Sequence, residues 1–599
     1  MDQKEQQSWV PCLPGNAPFT AEQRAYLNGF LAGIFSRTPA PTDAAQSSAP
    51  AQALVPLSIV FGSQTGSAEN LAKRIAKEAG RRGFAPTVHD LASYPTAQLA
   101  SEERLLIVTS TYGDGEPPDN AKAFWNFLNG PSAPKLSQTR FTICALGDSN
   151  YPKFCGFGKD MDLRLEALGA SRVHPRADCD VDFEEPFSKW LNEALAQIKV
   201  QNTGGAEPKI EVPTPAAETP SSGTANYSRS NPFPAALVTN KLLNAPGSGK
   251  DTRHFEMELN GSGLSYEAGD VLGVIPTNCP ELVEDILAAL KCSGDEIVPG
   301  RDGAETPFRE TLLRHYEITK IAQPFLAAIA ERSGDETLKK LATPGANGAL
   351  VEFLYGREMV DLLLAHPSVK FGPAEFVALL KKLQPRLYSI SSSPKANPGR
   401  VHLTVNIVRY ESLARRRKGV CSTFLADRVA LAKTVPVFVH ANRNFRPPAN
   451  SETPMIMVGP GTGIAPFRAF LQERRATGAK GRNWLFYGDQ RSATDFMYRD
   501  ELESMQRDGG LTRLDTAFSR DQAEKIYVQD RMRENAKELF AWFEDGAHFY
   551  VCGDAKRMAK DVDAALHEVV RTGSGCTVEQ SAEYVSRLKK EKRYQRDVY

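Results

Sequence analysis

Pro385-Arg386-Leu387-Tyr388-Ser389-Ile390-Ser391-Ser392-Ser393 lies past the midpoint of a 599-residue chain. Alternate side chains of a strand share a face. Arg386 and Tyr388 therefore point the same way, with Leu387 between them pointing the other. Ser389 points to that other side, or is turned where the strand ends. A guanidinium is a planar fork that matches the paired oxygens of a pyrophosphate, and a phenol ring can cover a flat heterocycle. Together these residues read as a grip for a flavin. The plain alternative is an ordinary strand with one surface arginine, and the surrounding chain decides between the two.

Composition narrows the field. The length suggests roughly three or four domains. A hydrophobic content of 41% and a charged content of 24% are those of a globular chain. Lys plus Arg and Asp plus Glu both number 72, so no basic footprint for nucleic acid exists. No apolar run reaches the ~18–20 residues of a membrane span, and the start, Met1-Asp2-Gln3-Lys4-Glu5, is polar. None of the nine cysteines forms a C-x-x-C pair, which argues against a disulfide framework or zinc site. The nine histidines show no metal-ligand spacing. A cytoplasmic protein with free thiols, no metal and an organic cofactor is expected.

Five segments follow from pattern. In residues 1–54, Thr20 to Phe35 reads as an amphipathic helix with a capping box at Thr20 and Gln23. An Ala/Pro/Ser-rich tether follows. A helix on a tether suits a contact with a partner or a second copy. Residues 55–200 alternate buried strands (57–61, 105–109, 141–146) with helical patterns (68–82, 120–128, 159–168, 185–198), as in a doubly wound parallel sheet. Ligands of such sheets lie beyond the carboxyl ends of the strands. Three loops leave those ends. Gly62-Ser63-Gln64-Thr65-Gly66-Ser67-Ala68 offers hydroxyls, N–H groups and a helix start to a phosphate. Ser110-Thr111-Tyr112-Gly113-Asp114-Gly115-Glu116 and Leu146-Gly147-Asp148-Ser149-Asn150-Tyr151-Pro152-Lys153-Phe154-Cys155 bring Tyr112 and Tyr151 to the two sides of a flat ring. Asp114, Glu116, Asp148, Asp178, Asp180, Asp182, Glu184 and Glu185 make this module acidic, which suits a basic electron acceptor.

Residues 201–231 are rich in Gly, Pro, Thr, Ser and Ala and read as a linker, with a reach of roughly 30 Å as a coil. Residues 232–450 carry alternating strands (252–259, 400–408) of an antiparallel barrel, interrupted by a helical insertion at about 278–375. Gly419-Val420-Cys421-Ser422 is a small-residue turn opening a helix, suited to a phosphate. Residues 451–599 return to strand–helix alternation. Gly459-Pro460-Gly461-Thr462-Gly463 lets the backbone approach a pyrophosphate. Ser519, Arg520 and Lys525 follow a strand end and favour a 2′-phosphate, hence NADPH over NADH. The last stretch, Arg593-Tyr594-Gln595-Arg596-Asp597-Val598-Tyr599, reads either as a frayed tail or as an aromatic end that stacks on the flavin.

The motifs Arg386–Ser389, Gly459–Pro466, Ser519-Arg520 and Cys552-Gly553-Asp554, in this order and spacing, resemble those of the diflavin reductase family. The three loops of residues 55–200 resemble its flavodoxin-like FMN domain. The fold this implies is multidomain α/β and β-barrel: a flavodoxin-like FMN domain, an antiparallel FAD-binding barrel with a helical insertion, and a ferredoxin–NADP reductase-like nucleotide domain. The resemblance implies FMN at Ser63 to Ala68, Ser110 to Gly113 and Leu146 to Cys155. It implies FAD at Arg386, Leu387, Tyr388, Ser389, Thr404, Val405, Asn406, Tyr410, Gly419, Val420, Cys421 and Ser422, with Asn406 and the Val420-Cys421 turn departing from the family's smaller residues. NADPH would lie at Ser519, Arg520, Lys525, Ile526, Tyr527, Val528, Gln529 and Asp561. Tyr599 would cover the FAD ring, and Ser389, Cys552 and Asp597 would line the hydride path. Electrons would leave singly through FMN to a separate sirohaem/iron–sulfur subunit, and the N-terminal region would support a homo-oligomer. A monooxygenase-type haem protein is the alternative acceptor.

Overall fold

The structure is a computed structural model and describes residues 54–63, 66–112, 115–148, 153–180, 183–199, 227–300, 303–343 and 347–599. The expected N-terminal helix, most of the linker, and Gln64, Thr65, Gly113, Ser149, Asn150, Tyr151 and Pro152 lie outside the described residues.

The first module is a parallel sheet in the order Phe84–Asp90, Val55–Gly62, Arg104–Ser110, Arg140–Leu146, with the short strands Ser171–Arg172 and Ala177–Cys179 both pairing with Arg140–Leu146. Ile59, Val60, Leu105–Val108 and Ile143–Ala145 are fully buried, because helices cover both sheet faces. Those helices are Ser67–Arg81, Lys122–Asn129, Gly156–Ala167 and Glu184–Lys199. The strand Phe84–Asp90 escaped the sequence reading. It alternates polar residues and contains Pro86, which an edge strand tolerates and an inner one does not. Gly158 lies so close to the sheet that a Cβ there would collide with Ala145.

The second module is a six-stranded antiparallel sheet in the order Arg386–Ser389, Val271–Val274, Thr434–His440, Phe233–Leu242, Thr252–Glu258, Arg400–Asn406. An antiparallel bridge between Ile390 and Leu403 joins the two outer strands and closes the barrel. The insertion is helical, from Pro280–Leu290 to Pro373–Ala378, around edge-on contacts of Phe325 and Phe308 with Phe376. The hairpin Arg409–Ser412/Arg415–Lys418 is pinned to it by buried Arg417, which donates to Glu358 at 3.0 Å and Asp361 at 2.7 Å.

The third module is a parallel sheet in the order Arg513–Phe518, Asn483–Asp489, Met455–Val458, His548–Gly553, Tyr594–Val598. The chain end is thus a strand, not a frayed tail: it finds a parallel partner in the buried strand that carries Cys552. Arg468 ties this module to the barrel by donating to the Ser391 carbonyl at 2.7 Å, and Asn244 does so by donating to Asp495 at 2.9 Å. Residues Val55–Tyr599 form one unit. No helix among the described residues is long and apolar enough to cross a membrane. The cysteines among the described residues are free thiols.

Candidate active site

The grip strand and the terminal strand meet at Asp597. Ser389 Oγ donates to Asp597 Oδ2 at 2.6 Å, and the Cys552 thiol approaches the same oxygen at 3.9 Å. Cys552 and Asp597 are register partners in neighbouring parallel strands, so strand pairing itself sets this approach. Burial raises the Asp597 carboxyl above its ordinary range, and the hydrogen bonds from Ser389 and Cys552 oppose the rise. Burial, reinforced by Asp597, pushes the Cys552 thiol well up, so the sulfur stays protonated and neutral. Tyr599 follows. Its hydroxyl shares a 2.8 Å hydrogen bond with Thr462, its N–H donates to the Gly553 carbonyl at 3.1 Å, and the residue as a whole is 54% exposed. The aromatic plate is therefore held at its rim by Thr462. Ser389, Cys552 and Asp597, the three residues expected on the hydride path, are brought together, with Tyr599, the expected ring cover, two residues past Asp597.

Around this centre the grip is as the alternation required, with one addition. Arg386 donates to the buried carboxylate of Glu317 at 3.0 Å and to the Gln384 carbonyl at 2.8 Å. Burial works against charge on Glu317, but Arg386, Thr319 and Lys320 hold its carboxyl below the ordinary range. The guanidinium is thus pre-oriented by the insertion, a role for Glu317 that no local sequence signal announces. Tyr388 packs against the barrel core and Leu387 is 49% exposed. Thr404 is committed to the Tyr498 hydroxyl at 2.6 Å, and Val405 and Cys421 lie in the barrel core. At these three positions a ligand would be met by backbone. Asn406 and Tyr410 are exposed. Gly419 precedes a single helical turn, Val420–Thr423, that runs into a π-turn at Phe424–Arg428. Ser422 Oγ caps the Val408 N–H at 3.1 Å.

The nucleotide module presents its turn at the carboxyl end of Met455–Val458. Gly463 is pressed against the Cys552 backbone, whereas a side chain at Gly461, with φ of 58°, would meet open space. That side can therefore receive a pyrophosphate. Ser519 follows Arg513–Phe518 and its N–H donates to the Asp489 carbonyl at 2.9 Å. Arg520 and Lys525 are exposed, and neither side chain makes an ion pair among the described residues. Two uncommitted cations beside a hydroxyl fit a 2′-phosphate. Tyr527 is 45% exposed, Val528 turns into the core with Ile526 against it, and Gln529 lies in the first turn of the helix Val528–Glu534. Asp561 is exposed on the helix Met558–Ser574.

In the flavodoxin-like module, Ser63 Oγ accepts from the N–H groups of Gly66 at 2.9 Å and Ala68 at 3.3 Å. Gly66, with φ of 92°, turns the chain into the helix. Thr111 N–H donates to the Leu146 carbonyl at 2.9 Å and so ties the second loop to the third. Thr111 Oγ1 and the Tyr112 hydroxyl are buried without a hydrogen-bond partner among the described residues, a need that a polar heterocycle seated there would satisfy. Ala68, Leu146 and Cys155 are buried in the module's cores, so contact at these positions would again be through backbone. The acidic character of the module is partly spent inside the chain. Asp178 pairs with Arg176 and Lys159, Glu184 with Arg74, and Glu116 with Lys560 of the nucleotide module.

Folding also gathers residues that spacing does not reveal. His254, Glu256 and His402 place their ligand atoms within 4.8 Å of one another on neighbouring strands. Arg468 donates to His402 Nδ1 at 3.3 Å, Arg400 pairs with Glu256 at 3.1 Å, and Tyr498 lies 3.0 Å from His254 Nδ1. Burial, with help from Arg468, lowers both imidazoles to about 3. Arg468 also pairs with Glu501 at 2.8 Å, and Arg400 lies 3.9 Å from Glu258, so the cluster is part of an ion-pair network that packs the barrel on the nucleotide module.

A flavodoxin-like sheet, a barrel that grips a dinucleotide and a parallel nucleotide sheet on one chain define a diflavin reductase. Family models agree: flavodoxin matches residues 59–190, an FAD binding domain residues 225–424, and an oxidoreductase NAD-binding domain residues 457–564. The chain is 45% identical over 587 residues to the sulfite reductase (NADPH) flavoprotein alpha-component of Bacillus subtilis, covering 97% of this chain and 96% of that protein. It is 43% identical to the protein of the same name from Vibrio parahaemolyticus, over 97% and 93%. Identity to the Neisseria meningitidis protein is 42%, over the whole of both chains. The chain belongs to the sulfite reductase (NADPH) flavoprotein alpha-component family.

Proposed function

We propose that this chain is the electron-supplying component of an NADPH-dependent sulfite reductase, passing electrons from NADPH through FAD and FMN to a separate sirohaem/iron–sulfur beta subunit that reduces sulfite to sulfide. The single observation that carries the reading is the convergence of Ser389, Cys552, Asp597 and Tyr599 between the grip and the glycine turn. When bound, FAD takes an electron pair as hydride and FMN hands electrons on one at a time.

The chain's own residues supply position and charge. Arg386 and the Gly419 turn hold the dinucleotide's phosphates, and Arg520 with Lys525 selects the phosphorylated coenzyme. Tyr599 occupies the nicotinamide's place until displaced, since Thr462 anchors only its rim. Ser389 fixes Asp597 by its hydrogen bond, and Asp597 in turn faces the neutral Cys552 thiol, so no thiolate opposes the arriving hydride. The N-terminal segment supports a homo-oligomer, and the protein works in the cytoplasm.

The test is reconstitution. Full-length protein carrying both flavins should reduce cytochrome c with NADPH alone, and should drive sulfide formation from sulfite only when the sirohaem subunit is added. Retention of a single flavin type, or sulfide formation that ignores the added chain, would overturn the reading.

A further inference from the structure

The strand Asn483–Asp489 follows the glycine turn in sequence and lies beside Met455–Val458 in the nucleotide sheet. It ends on Asp489. A carboxylate at this end of a nucleotide-binding sheet is what an NAD site sets against the ribose hydroxyl, and it would repel a 2′-phosphate. Yet the groups that suit a 2′-phosphate stand beside it. Asp489 and Phe518 are register partners, so Ser519 and Arg520 leave the sheet alongside it. The Asp489 carbonyl accepts the Ser519 N–H at 2.9 Å, and the Gln490 carbonyl accepts the Arg520 N–H at 2.8 Å. The carboxylate itself is turned inward and paired. Its side chain is 1% exposed and meets Lys250, 239 positions earlier in the barrel. Burial pushes the Asp489 carboxyl up, and Lys250 opposes the rise. The lysine is placed by the loop that joins Phe233–Leu242 to Thr252–Glu258. Ser248 Oγ accepts the Lys250 N–H at 2.9 Å and donates to Asp495 at 2.5 Å. Asn244 donates to the same oxygen, and the Ala245 N–H donates to the Thr494 carbonyl at 2.9 Å. The barrel loop thus rests on the segment that follows Asp489.

We propose that Lys250 is a specificity-determining residue for the coenzyme: reaching from the barrel, it cancels the charge of Asp489 beside the Ser519–Arg520 turn and so lets a 2′-phosphate settle there. The proposal rests on the coenzyme reading above. Arg520 and Lys525 attract the phosphate, but an uncancelled like charge close by would undo part of that attraction. Water would screen such a charge at the surface. Asp489 is sealed from water, so the lysine has to do it, and without the lysine the carboxylate is left buried and unpaired. The strand end therefore carries the residue type of an NADH site, and the barrel corrects it. Choice of coenzyme is shared between two modules, because the turn belongs to the nucleotide sheet and Lys250 does not.

The test uses full-length protein with both flavins and two probes, 2′,5′-ADP and 5′-AMP, which differ only in the 2′-phosphate. Calorimetry at about pH 8, where carboxyls are ionised, should show Lys250→Met binding 2′,5′-ADP about tenfold more weakly than the wild type, with 5′-AMP binding unchanged. Lys250→Met combined with Asp489→Asn should recover the wild-type affinity, which a merely structural role of the lysine would not allow. Asp489→Asn alone should bind 2′,5′-ADP at least as tightly as the wild type. In steady state, Lys250→Met should raise KM for NADPH and leave kcat and the KM for NADH in place. An equal loss for both probes would make Lys250 a prop of its loop, and failure of Asp489→Asn to recover the loss would remove the Asp489 charge from coenzyme choice; either result overturns the proposal. A wild type that prefers 2′,5′-ADP beside a Lys250→Met variant with the same preference sinks the role of Lys250 alone. A wild type with no such preference sinks the coenzyme reading, and the proposal with it.

Discussion

Asp597 and Arg596 are neighbours on one strand and meet opposite kinds of surroundings. On one face two uncharged donors meet one carboxyl that burial raises: the Ser389 hydroxyl at 2.6 Å and the protonated Cys552 thiol. On the other, Arg596 makes an ionic contact with Asp119 of the flavodoxin-like module and borders a cavity. Buried contacts from uncharged donors fix geometry and are little affected by salt. Ionic contacts at a wet seam are reversible and can be competed away. One strand thus joins a place where atoms must not move to a place where a whole module must.

The sealed face is the easier to break. Replacing Asp597 by Ala removes the acceptor of Ser389 and the neighbour of Cys552 together. Flavin reduction by NADPH should fall by about a hundredfold, the scale of loss when a reacting group is misplaced by an ångström, while flavin content stays intact. Stopped-flow absorbance checks this, and an unchanged rate would remove Asp597 from the hydride path. The ionic principle extends to the coenzyme. Arg520→Ala with Lys525→Ala should cut the preference for NADPH over NADH by roughly thirtyfold, given about 1 kcal/mol for each exposed charge-assisted contact. The ratio of kcat/KM for the two coenzymes measures it, and an unaltered ratio refutes the 2′-phosphate assignment. Cys552→Ala leaves the Ser389–Asp597 bond in place. It should therefore slow hydride transfer less than the loss of Asp597, by about tenfold; an effect equal to that of Asp597→Ala would show that the thiol, not the carboxyl, organises the site.

How much of this was legible in sequence follows the same division. Ser389 and Cys552 stand in motifs whose order and spacing carry the resemblance, and Arg386 to Ser389 form the strand the alternation called for, with Leu387 on its exposed side. The glycine turn was legible because only small residues allow its approach to the Cys552 strand. What could not be read is what crosses modules. Asp119 and Arg596 are 477 positions apart, and no periodicity links them. Glu317 behind Arg386 and Thr462 beneath Tyr599 are hidden in the same way. The acidic residues were read as a face for a basic electron acceptor; that Glu116 pairs with Lys560, and Asp119 with Arg596, no local pattern announced. The edge strand Phe84–Asp90 was missed because a half-polar strand with a proline has no strong pattern. At Thr404 and Val405 the side chains are taken up by Tyr498 and the barrel core, which spacing alone does not announce.

The smallest expected effect is on pH, and it separates the two faces cleanly. Asp119 has an ordinary value of 3.8 and sits lower with Arg596 docked against it. A depressed carboxyl contributes stability that is fully present above its undocked value and is lost as pH falls through the docked one. Lys122 belongs to the same module as Asp119 and pairs with it at 2.8 Å, so part of the depression persists after undocking and the linked change is modest. Compaction measured by small-angle scattering should therefore be flat from pH 8 to about 5, and should weaken only below about 4. Asp119→Asn cannot ionise at this position, so its difference from the wild type should be constant above pH 5 and shrink below 4. Asp597, raised rather than lowered, works in the opposite sense: the fold favours its protonated form, so its contribution is present at low pH and declines as pH rises above the ordinary carboxyl value. A compaction profile that weakens on raising the pH toward neutrality would assign the titration to the sealed face and take it away from the Asp119–Arg596 pair.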